Sequence, residues 1–286
     1  MENILELNNI TKNYEAFTLN QVSFACPQGS IMGLIGPNGA GKTTIIHSIL
    51  DVIKLDGGSV RIFGKDRHDL SMEEKAQIAV VYDDNCLPAY LAAKEIGKIF
   101  QRIYPNWDAQ IFQEYMERLE IPQKTAVRDM SKGNKIKMNL AVALSHHPRL
   151  LILDEITSAL DPLMREEILS LFLEFIEDES RSILFSSHII TDLEKIADYI
   201  TFINNGQVVF SKEKDELLYN YTLVRCKASA FHEIDKNELI AYRAQESYVD
   251  ILIEKESACK MPPNASLTEK PTIEEIMLIL AKGEKV

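Results

Sequence analysis

Short apolar runs recur along the chain, and helical patterns separate most of them. Four runs are apolar on both faces, which is typical of buried parallel strands: Ile31–Ile35, Ala79–Tyr82, Leu150–Leu153 and Ile183–Phe185. Helical spacing follows Gly41, Asp161 and Thr191. Strands that alternate with helices predict a mostly parallel sheet that is covered by helices on both sides.

The beginning of the chain has a different pattern, in which short apolar segments are separated by turn residues. These segments are Ile4–Leu7, Val22–Phe24 and, further on, Val60–Phe63. Strands joined by short turns favour antiparallel pairing. We therefore expect an antiparallel β subdomain beside the parallel sheet.

No strand is predicted between Asp84 and Met130. Within this stretch Glu95–Ile103 and Ile111–Leu119 have helical spacing, and the turn-rich Tyr104–Asn106 separates them. This pattern predicts a helical subdomain at about residues 84–145, inserted into a main domain of residues 1–215.

The pattern of apolar and polar residues changes again after about Lys214. Leu223–Cys226 and Tyr248–Ile253 are predicted strands, and Thr272–Ala281 is a predicted amphipathic helix between Pro271 and Gly283. We interpret residues 216–286 as a small α/β extension. It carries no recognisable motif, and its role is left open between regulation, dimerisation and simple packing.

Composition narrows the function classes. The chain has 286 residues, of which 46% are hydrophobic, so a sizeable core can form. A formal net charge of −12 disfavours nucleic acid as a main partner, because binding to a duplex depends on basic side chains. No apolar run approaches the ~18 residues of a membrane-spanning helix, and the N-terminus lacks a signal-peptide pattern, so we expect a cytosolic protein.

The four cysteines, Cys26, Cys86, Cys226 and Cys259, lie far apart and without CxxC spacing. This spacing favours scattered free thiols over a disulfide frame or a zinc site.

The segment Gly36–Thr43 (GPNGAGKT), which we call the phosphate loop, matches the pattern G-x-x-x-x-G-K-[ST]. It follows a predicted strand and opens a predicted helix, which is the context that the motif requires. Glycines at 36, 39 and 41 are expected to allow backbone angles that aim N–H groups at a phosphate. Lys42 is expected to reach the β and γ phosphates of a nucleotide, and the Thr43 hydroxyl to ligate Mg²⁺.

Two carboxylates end the predicted strand Leu150–Leu153. Asp154 is placed to join the Mg²⁺ shell, and Glu155 to polarise the attacking water as a general base. The alternative is that the two carboxylates only cap a turn after a core strand. The nearby phosphate loop favours the catalytic interpretation.

The set formed by the phosphate loop, Asp154–Glu155, Ser158–Asp161 and His188 resembles the ATPase subunit of an ABC transporter. The order and spacing hold over residues 1–215. The resemblance implies the P-loop NTPase fold of an ABC ATPase, with an antiparallel β subdomain, a helical subdomain and, in this chain, a small C-terminal α/β extension. It also implies ATP and Mg²⁺ as nucleotide and metal ion.

The resemblance implies roles for individual residues. His188, at the end of a strand, is expected to hydrogen-bond the γ-phosphate, and its alternative is a satisfied surface histidine. Tyr14 is expected to stack on adenine, or else to be an ordinary packed or exposed tyrosine. The implied catalytic residues are Glu155, His188 and Lys42. The implied ATP-binding residues are Tyr14, Gly36, Asn38, Gly39, Ala40, Gly41, Lys42, Thr43 and Thr44.

The family's signature motif, Leu-Ser-Gly-Gly-Gln, appears here as Met130–Asn134 (MSKGN), which we call the signature segment. Ser131 and Gly133 match at the head of a predicted helix, whereas Lys132 and Asn134 depart from the pattern. The alternative is a polar helix cap without a nucleotide role. The residues expected to contact the ATP of a neighbouring subunit are Ser131, Lys132, Gly133, Asn134 and Asp161.

A second departure lies after the strand that ends at Tyr82. The family has a glutamine there, and this chain has Asp83 and Asp84. A carboxylate is a good ligand for Mg²⁺. The implied metal ligands are therefore Thr43, Asp83 and Asp154, with Asp84 as an alternative to Asp83 and a solvated acidic turn as the simpler interpretation.

The resemblance implies a dimer, with an identical or a different second ATPase subunit, and a separate transmembrane permease. Through this permease the cytoplasmic chain is expected to lie at the inner face of the cell membrane. The short cassette, Asp83–Asp84 and the signature segment are most similar to ABC-2-type exporters, in particular those for phenol-soluble modulins and other amphipathic or antimicrobial peptides. One alternative is a soluble ABC ATPase that acts on ribosomes or DNA. Another is a non-hydrolysing subunit that pairs with an active one.

Replacing Glu155 by Gln removes the predicted general base. We expect ATP turnover to fall by about 10²- to 10⁴-fold, while ATP still binds and holds two chains together. Phosphate release and light scattering with ATP measure the two effects. Hydrolysis at the wild-type rate would contradict the role of Glu155.

Overall fold

The computed structural model describes residues 2–84, 86–158, 160–260, 266–268 and 270–285. Its strands in chain order are β1 Asn3–Asn13, β2 Thr18–Pro27, β3 Ile31–Ile35, β4 Gly57–Ile62, β5 Lys65–Asp66, β6 Ile78–Tyr82, β7 Leu150–Asp154, β8 Ser182–Ser187, β9 Tyr199–Asn204, β10 Gln207–Glu213, β11 Tyr221–Lys227, β12 Ala241–Ala244, β13 Tyr248–Glu254, β14 Ser266–Thr268 and β15 Glu284–Lys285. Its helices are α1 Lys42–Ile49, α2 Met72–Lys75, α3 Ala93–Ile103, α4 Ala109–Arg118, α5 Lys132–Leu144, α6 Pro162–Phe175, α7 Ile190–Ile196, α8 Lys214–Tyr219 and α9 Ile273–Lys282.

The central sheet has the strand order β10-β9-β3-β8-β7-β6, and its neighbours are parallel except for β9 and β10. The four apolar runs all lie in this sheet, in agreement with the sequence analysis. The hairpin of β9 and β10 was missed. Its signal was the Asn205-Gly206 turn, where both residues have positive φ, between two apolar segments.

The register of the parallel strands brings their carboxyl ends to one edge. Tyr82 pairs with Asp154, and Asp154 pairs with Ser186 on the next strand. Ile35 pairs with Ser187. The residues that follow these strands therefore meet at the same place, as expected for a parallel α/β sheet.

Two antiparallel sheets flank the central one. The first has the order β2-β1-β4-β5 and forms the expected β subdomain. The second has the order β14-β11-β13-β12-β15 and belongs to the C-terminal extension. Helix α9 buries Ile273, Ile276 and Ile279 in a core that also contains residues of β3 and α7. The extension thus shares its core with the central sheet.

The helical subdomain contains α3, α4 and α5. Both predicted helices are present, and each begins two residues earlier than its apolar spacing indicated. At α4 the cause is Asp108, whose carboxylate accepts hydrogen bonds from the backbone N–H groups of Gln110 and Ile111. Such caps lie outside the periodic part of a helix, so apolar spacing alone misses them.

The structure also bears on the expected membrane spans and cysteines. Among the described residues no helix is long and apolar enough to cross a membrane. The side chains of Cys26, Cys86 and Cys226 are free thiols, whereas the Cys259 side chain lies outside the described residues. Ala159, within Ser158–Asp161, also lies outside them.

His146 joins the helical subdomain to the central sheet. It is 1% exposed, its ring stacks on Tyr104 at 3.9 Å between centroids, and its Nδ1 lies 3.0 Å from the carbonyl oxygen of Ala76. Burial lowers the pKa of His146 from 6.5 to about 4. The histidine is therefore neutral in the folded protein at neutral pH.

The free energy of unfolding should fall as the pH falls from 6.5 towards 4. In this range His146 binds a proton in the unfolded chain but stays neutral in the folded protein. We expect His146 to contribute about 3 kcal/mol of this loss. Above pH 6.5 its full contribution to the free energy of unfolding should be present. Urea unfolding at several pH values, compared between the native chain and His146→Gln, isolates the contribution. The exposed His232→Gln is the control, and equal pH slopes in all three proteins would contradict the prediction.

Candidate active site

The phosphate loop connects the end of β3 to the start of α1. Gly41 has φ +110°, and a Cβ there would lie 2.8 Å from the ring of Phe17. Gly36 is not in the positive-φ region, so backbone freedom does not explain this glycine, contrary to expectation. A Cβ at Gly36 would lie 2.3 Å from the carbonyl oxygen of Ile203, so close packing against β9 excludes any side chain.

Lys42 begins α1 and is only 6% exposed. Its ammonium donates to the carbonyl oxygens of Gly36 at 2.7 Å and Pro37 at 3.3 Å. It also lies 3.1 Å from Oε1 of Glu155. A buried cation is thus held at the mouth of the loop, beside the N-terminus of a helix, where an anion binds favourably.

Thr43 and Asp154 form a hydroxyl–carboxylate pair beside this cation. The Thr43 hydroxyl donates to Oδ2 of Asp154 at 3.0 Å. Oδ1 of Asp154 is buried and has no hydrogen-bond partner among the described residues. Burial raises the pKa of Asp154, and the charge of Glu155 adds to this rise. A cation at Oδ1 would relieve both costs, so these two side chains fit a hard metal ion such as Mg²⁺.

Glu155 turns the chain away from β7 with φ +57°, which is uncommon for a residue other than glycine. Its Oε2 contacts Nδ1 of His188 and accepts from the His188 backbone N–H at 3.3 Å. Burial on its own raises the pKa of Glu155, but Lys42 and the hydrogen bond from His188 together lower it below its ordinary value. Glu155 is therefore an ionised carboxylate between two basic groups.

A cleft of about 650 Å³ opens beside these groups. Its lining combines the phosphate loop and α1 with the β1–β2 turn and Glu155: Ala16, Phe17, Asn38, Gly39, Gly41, Lys42, Thr43, Thr44 and Glu155. Ala40 is a buried residue of the phosphate loop, and its carbonyl oxygen accepts a hydrogen bond from the backbone N–H of Gly206.

Tyr14, the predicted adenine platform, does not line this cleft. It is 46% exposed, and Nζ of Lys12 lies 5.6 Å from its ring centroid. The aromatic ring that does line the cleft is Phe17, which the sequence analysis missed. Its only sequence signal is an aromatic residue in the turn that precedes β2. The stacking role of Tyr14 remains a prediction.

The residues predicted to reach a neighbour's ATP lie together elsewhere, and none of them lines the cleft. Ser131 caps α5 by accepting from the Asn134 N–H at 3.2 Å, and Asp161 caps α6, which has proline at its first position. A Cβ on Gly133 would lie 2.8 Å from the sulfur of Met164 in α6, so the two caps are adjacent. The starts of α5 and α6 therefore lie side by side in one partly exposed patch.

The structure pairs two residues that the sequence analysis assigned to different sites. Nζ of Lys132 lies 2.7 Å from Oδ1 and 2.8 Å from Oδ2 of Asp83. The Asp83 backbone N–H donates to the Asp154 carbonyl oxygen at 3.0 Å, but no direct contact joins the Asp83 side chain to Thr43 or Asp154. The ion pair therefore links the head of α5 to the end of β6. The metal-binding role of Asp83 remains a prediction.

A phosphate-sized loop at the end of a parallel strand, with a buried lysine and a hydroxyl–carboxylate pair for a metal ion, defines a P-loop NTPase site. The choice among such proteins comes from comparison with known ones. The family model for ABC transporters matches residues 19–158.

The ATP-binding protein YtrB of Bacillus subtilis is 30% identical over 225 residues, covering 78% of this chain and 76% of that protein. The lantibiotic transport ATP-binding protein SrtF of Streptococcus pyogenes is 31% identical over 215 residues, covering 74% and 92%. The solved structure of cbiO1 from Clostridium perfringens matches with a TM-score of 0.65 at 23% identity, covering 76% and 91%, which supports the fold. The chain belongs to the ABC transporter family as an ATP-binding, ATP-hydrolysing subunit.

The Asp83–Lys132 pair should appear as an energetic coupling between the two side chains. In a double-mutant cycle of Asp83→Asn and Lys132→Gln, we expect a coupling of about 0.5–1 kcal/mol in the free energy of unfolding, because both groups are partly exposed. The coupling should shrink in 1 M salt, where charges are screened within about 3 Å. Thermal or urea unfolding measures it. Asp84→Asn with Lys132→Gln is the control cycle, and equal couplings in the two cycles would contradict the pairing.

Proposed function

We propose that the chain powers a membrane exporter of amphipathic or antimicrobial peptides by hydrolysing ATP at the cleft beside the phosphate loop. The observation that carries the catalytic part is that Lys42, at the start of α1, meets Glu155 and His188 at the ends of the neighbouring strands β7 and β8. A buried cation, an ionised carboxylate and an imidazole at one point can bind, attack and stabilise a phosphoryl group.

Binding begins with the phosphates of ATP. The ammonium of Lys42 exchanges its carbonyl partners for phosphate oxygens, and the N–H groups at the start of α1 add their partial positive charge. Asn38, Gly39 and Thr44 line the cleft near the same atoms. Phe17 and Tyr14 are the two aromatic residues placed to receive the base.

Thr43 and Asp154, with Asp83 as a further candidate, would hold Mg²⁺, which neutralises charge on the β and γ phosphates when bound. The support is the buried, unpartnered oxygen of Asp154 next to the Thr43 hydroxyl. Asp83 would first have to leave Lys132, so its contribution is coupled to the signature segment.

Glu155 takes the proton of the attacking water, because its carboxylate is ionised and lines the cleft beside Lys42. His188, in contact with Glu155, holds that carboxylate in place, and it lies next to Gly36 and Pro37 of the phosphate loop, from where it would hydrogen-bond the γ-phosphate. Lys42 stabilises the charge that develops on the transferred group. These roles divide the reaction among three side chains.

The second half of the site comes from another ATPase subunit, identical or different. The patch of Ser131, Gly133 and Asp161 lies outside its own cleft and presents capped helix starts, which favour an anion. Two chains arranged head to tail would place this patch on the other's ATP. Hydrolysis would then weaken the dimer and transmit a motion through the helical subdomain.

The partner that receives this motion is proposed to be a separate transmembrane permease, which would place the chain at the inner face of the cell membrane. The resemblance to a lantibiotic transport ATP-binding protein supports peptide export. The net charge of −12 supports the absence of nucleic acid among the partners.

The test is reconstitution with a multispanning membrane protein, which would be sought first among the open reading frames that neighbour the one for this chain. We expect the two to copurify, and amphipathic peptides to raise ATP hydrolysis in lipid vesicles and to be transported. Glu155→Gln is the matched control, because it should copurify equally and transport nothing. ATP hydrolysis that no multispanning partner alters would contradict the transporter role, and transport of unrelated cargo only would contradict the peptide assignment.

A further inference from the structure

The C-terminal helix α9 lies directly behind the loop that carries His188. A cavity of about 270 Å³ separates them. One wall is formed by residues of the ATPase site and β9, namely Ile35, Gly36, Pro37, His188, Ile190 and Phe202. The other wall belongs entirely to α9 and includes Met277 and Ala281. The extension, which has no motif of its own, is thus a neighbour of the catalytic residues.

Helix α9 is held in this position by its first turn and by its buried face. Thr272 and Glu275 form a capping box at its start, and Ile273, Ile276 and Ile279 are at most 2% exposed. The Ile273 N–H donates to Oε1 of Glu194 at 2.9 Å. Glu194 lies in α7, which begins two residues after His188. A shift of α9 would therefore be transmitted to the helix that follows His188.

The loop between β8 and α7 is braced at Ile189, whose backbone N–H donates to the Ser187 hydroxyl at 3.0 Å. His188 is 47% exposed in its side chain, and its polar contacts are with Glu155. Ile189, at the start of α7, provides no side-chain cap. Ile190 packs against the same core as Met277 and Ala281. Side chains that face a cavity have fewer dispersion contacts, so a change in the size of Met277 on one wall alters the packing available to His188 and Ile190 on the other.

We propose that Met277 of α9 is a positioning residue for ATP hydrolysis, which holds the loop of His188 against Glu155. This inference rests on the catalytic role of His188 in the proposed function. Met277 touches no reacting atom, so it should affect the rate of the chemical step more than the binding of ATP. A loop misplaced by a fraction of an ångström is enough to slow hydrolysis.

The main variant is Met277→Ala in the full-length chain, with Leu280→Ala as the matched control. Leu280 lies on the same helix and packs against the same core, but it does not line the cavity. We expect Met277→Ala to lower kcat by about tenfold with an unchanged KM for ATP. Met277→Leu, which conserves volume, should restore kcat. Leu280→Ala should lower the melting temperature but leave kcat unchanged.

A second comparison uses His188→Ala, alone and together with Met277→Ala. If Met277 acts through His188, the double variant loses no more activity than His188→Ala alone. Additive losses, or equal kcat losses in Met277→Ala and Leu280→Ala, would overturn the inference. If His188→Ala lowers kcat and Met277→Ala does not, the inference about Met277 is overturned, while the proposed role of His188 stands. A His188→Ala variant with wild-type turnover would overturn the proposed role of His188 and, with it, the inference.

Discussion

The parallel pairing of β3, β8, β7 and β6 is the constraint on which the site depends. Each strand ends in register with its neighbour, as the pairs Ile35 with Ser187 and Asp154 with Ser186 show. The residues one step further along therefore meet at one edge of the sheet. A one-residue slip would move the residues at the end of a strand by about 3.3 Å along the sheet, so the register also fixes the chemistry at these ends.

Charge is distributed unequally among the acidic residues at this edge. Asp154 and Glu155 are adjacent in sequence, yet burial raises the pKa of the first, whereas Lys42 and His188 lower the pKa of the second. The difference follows from which side of the chain each carboxylate faces. Asp154 is suited to a metal ion that relieves its burial, and Glu155 is held as a charged carboxylate between two basic groups.

The peripheral parts of the molecule share a core with the central sheet and also reach it through identifiable polar and aromatic contacts. Lys132 ties the helical subdomain to Asp83, and the stack of His146 on Tyr104 ties it to the sheet. Helix α9 reaches the loop of His188 from the opposite side. Changes in any of these parts can thus act on the site without contacting the nucleotide.

The sequence by itself determined the features that depend on residues close together in the chain. These are the phosphate loop, the acidic end of β7, and the caps Ser131 and Asp161, since each is a local turn or helix start with a residue preference of its own. Only the tertiary structure decided that Lys132 pairs with Asp83, 49 positions away, that Phe17 packs on Gly41, and that α9 lies behind His188. Such contacts join elements that meet only after the sheet has formed, so no local pattern specifies them.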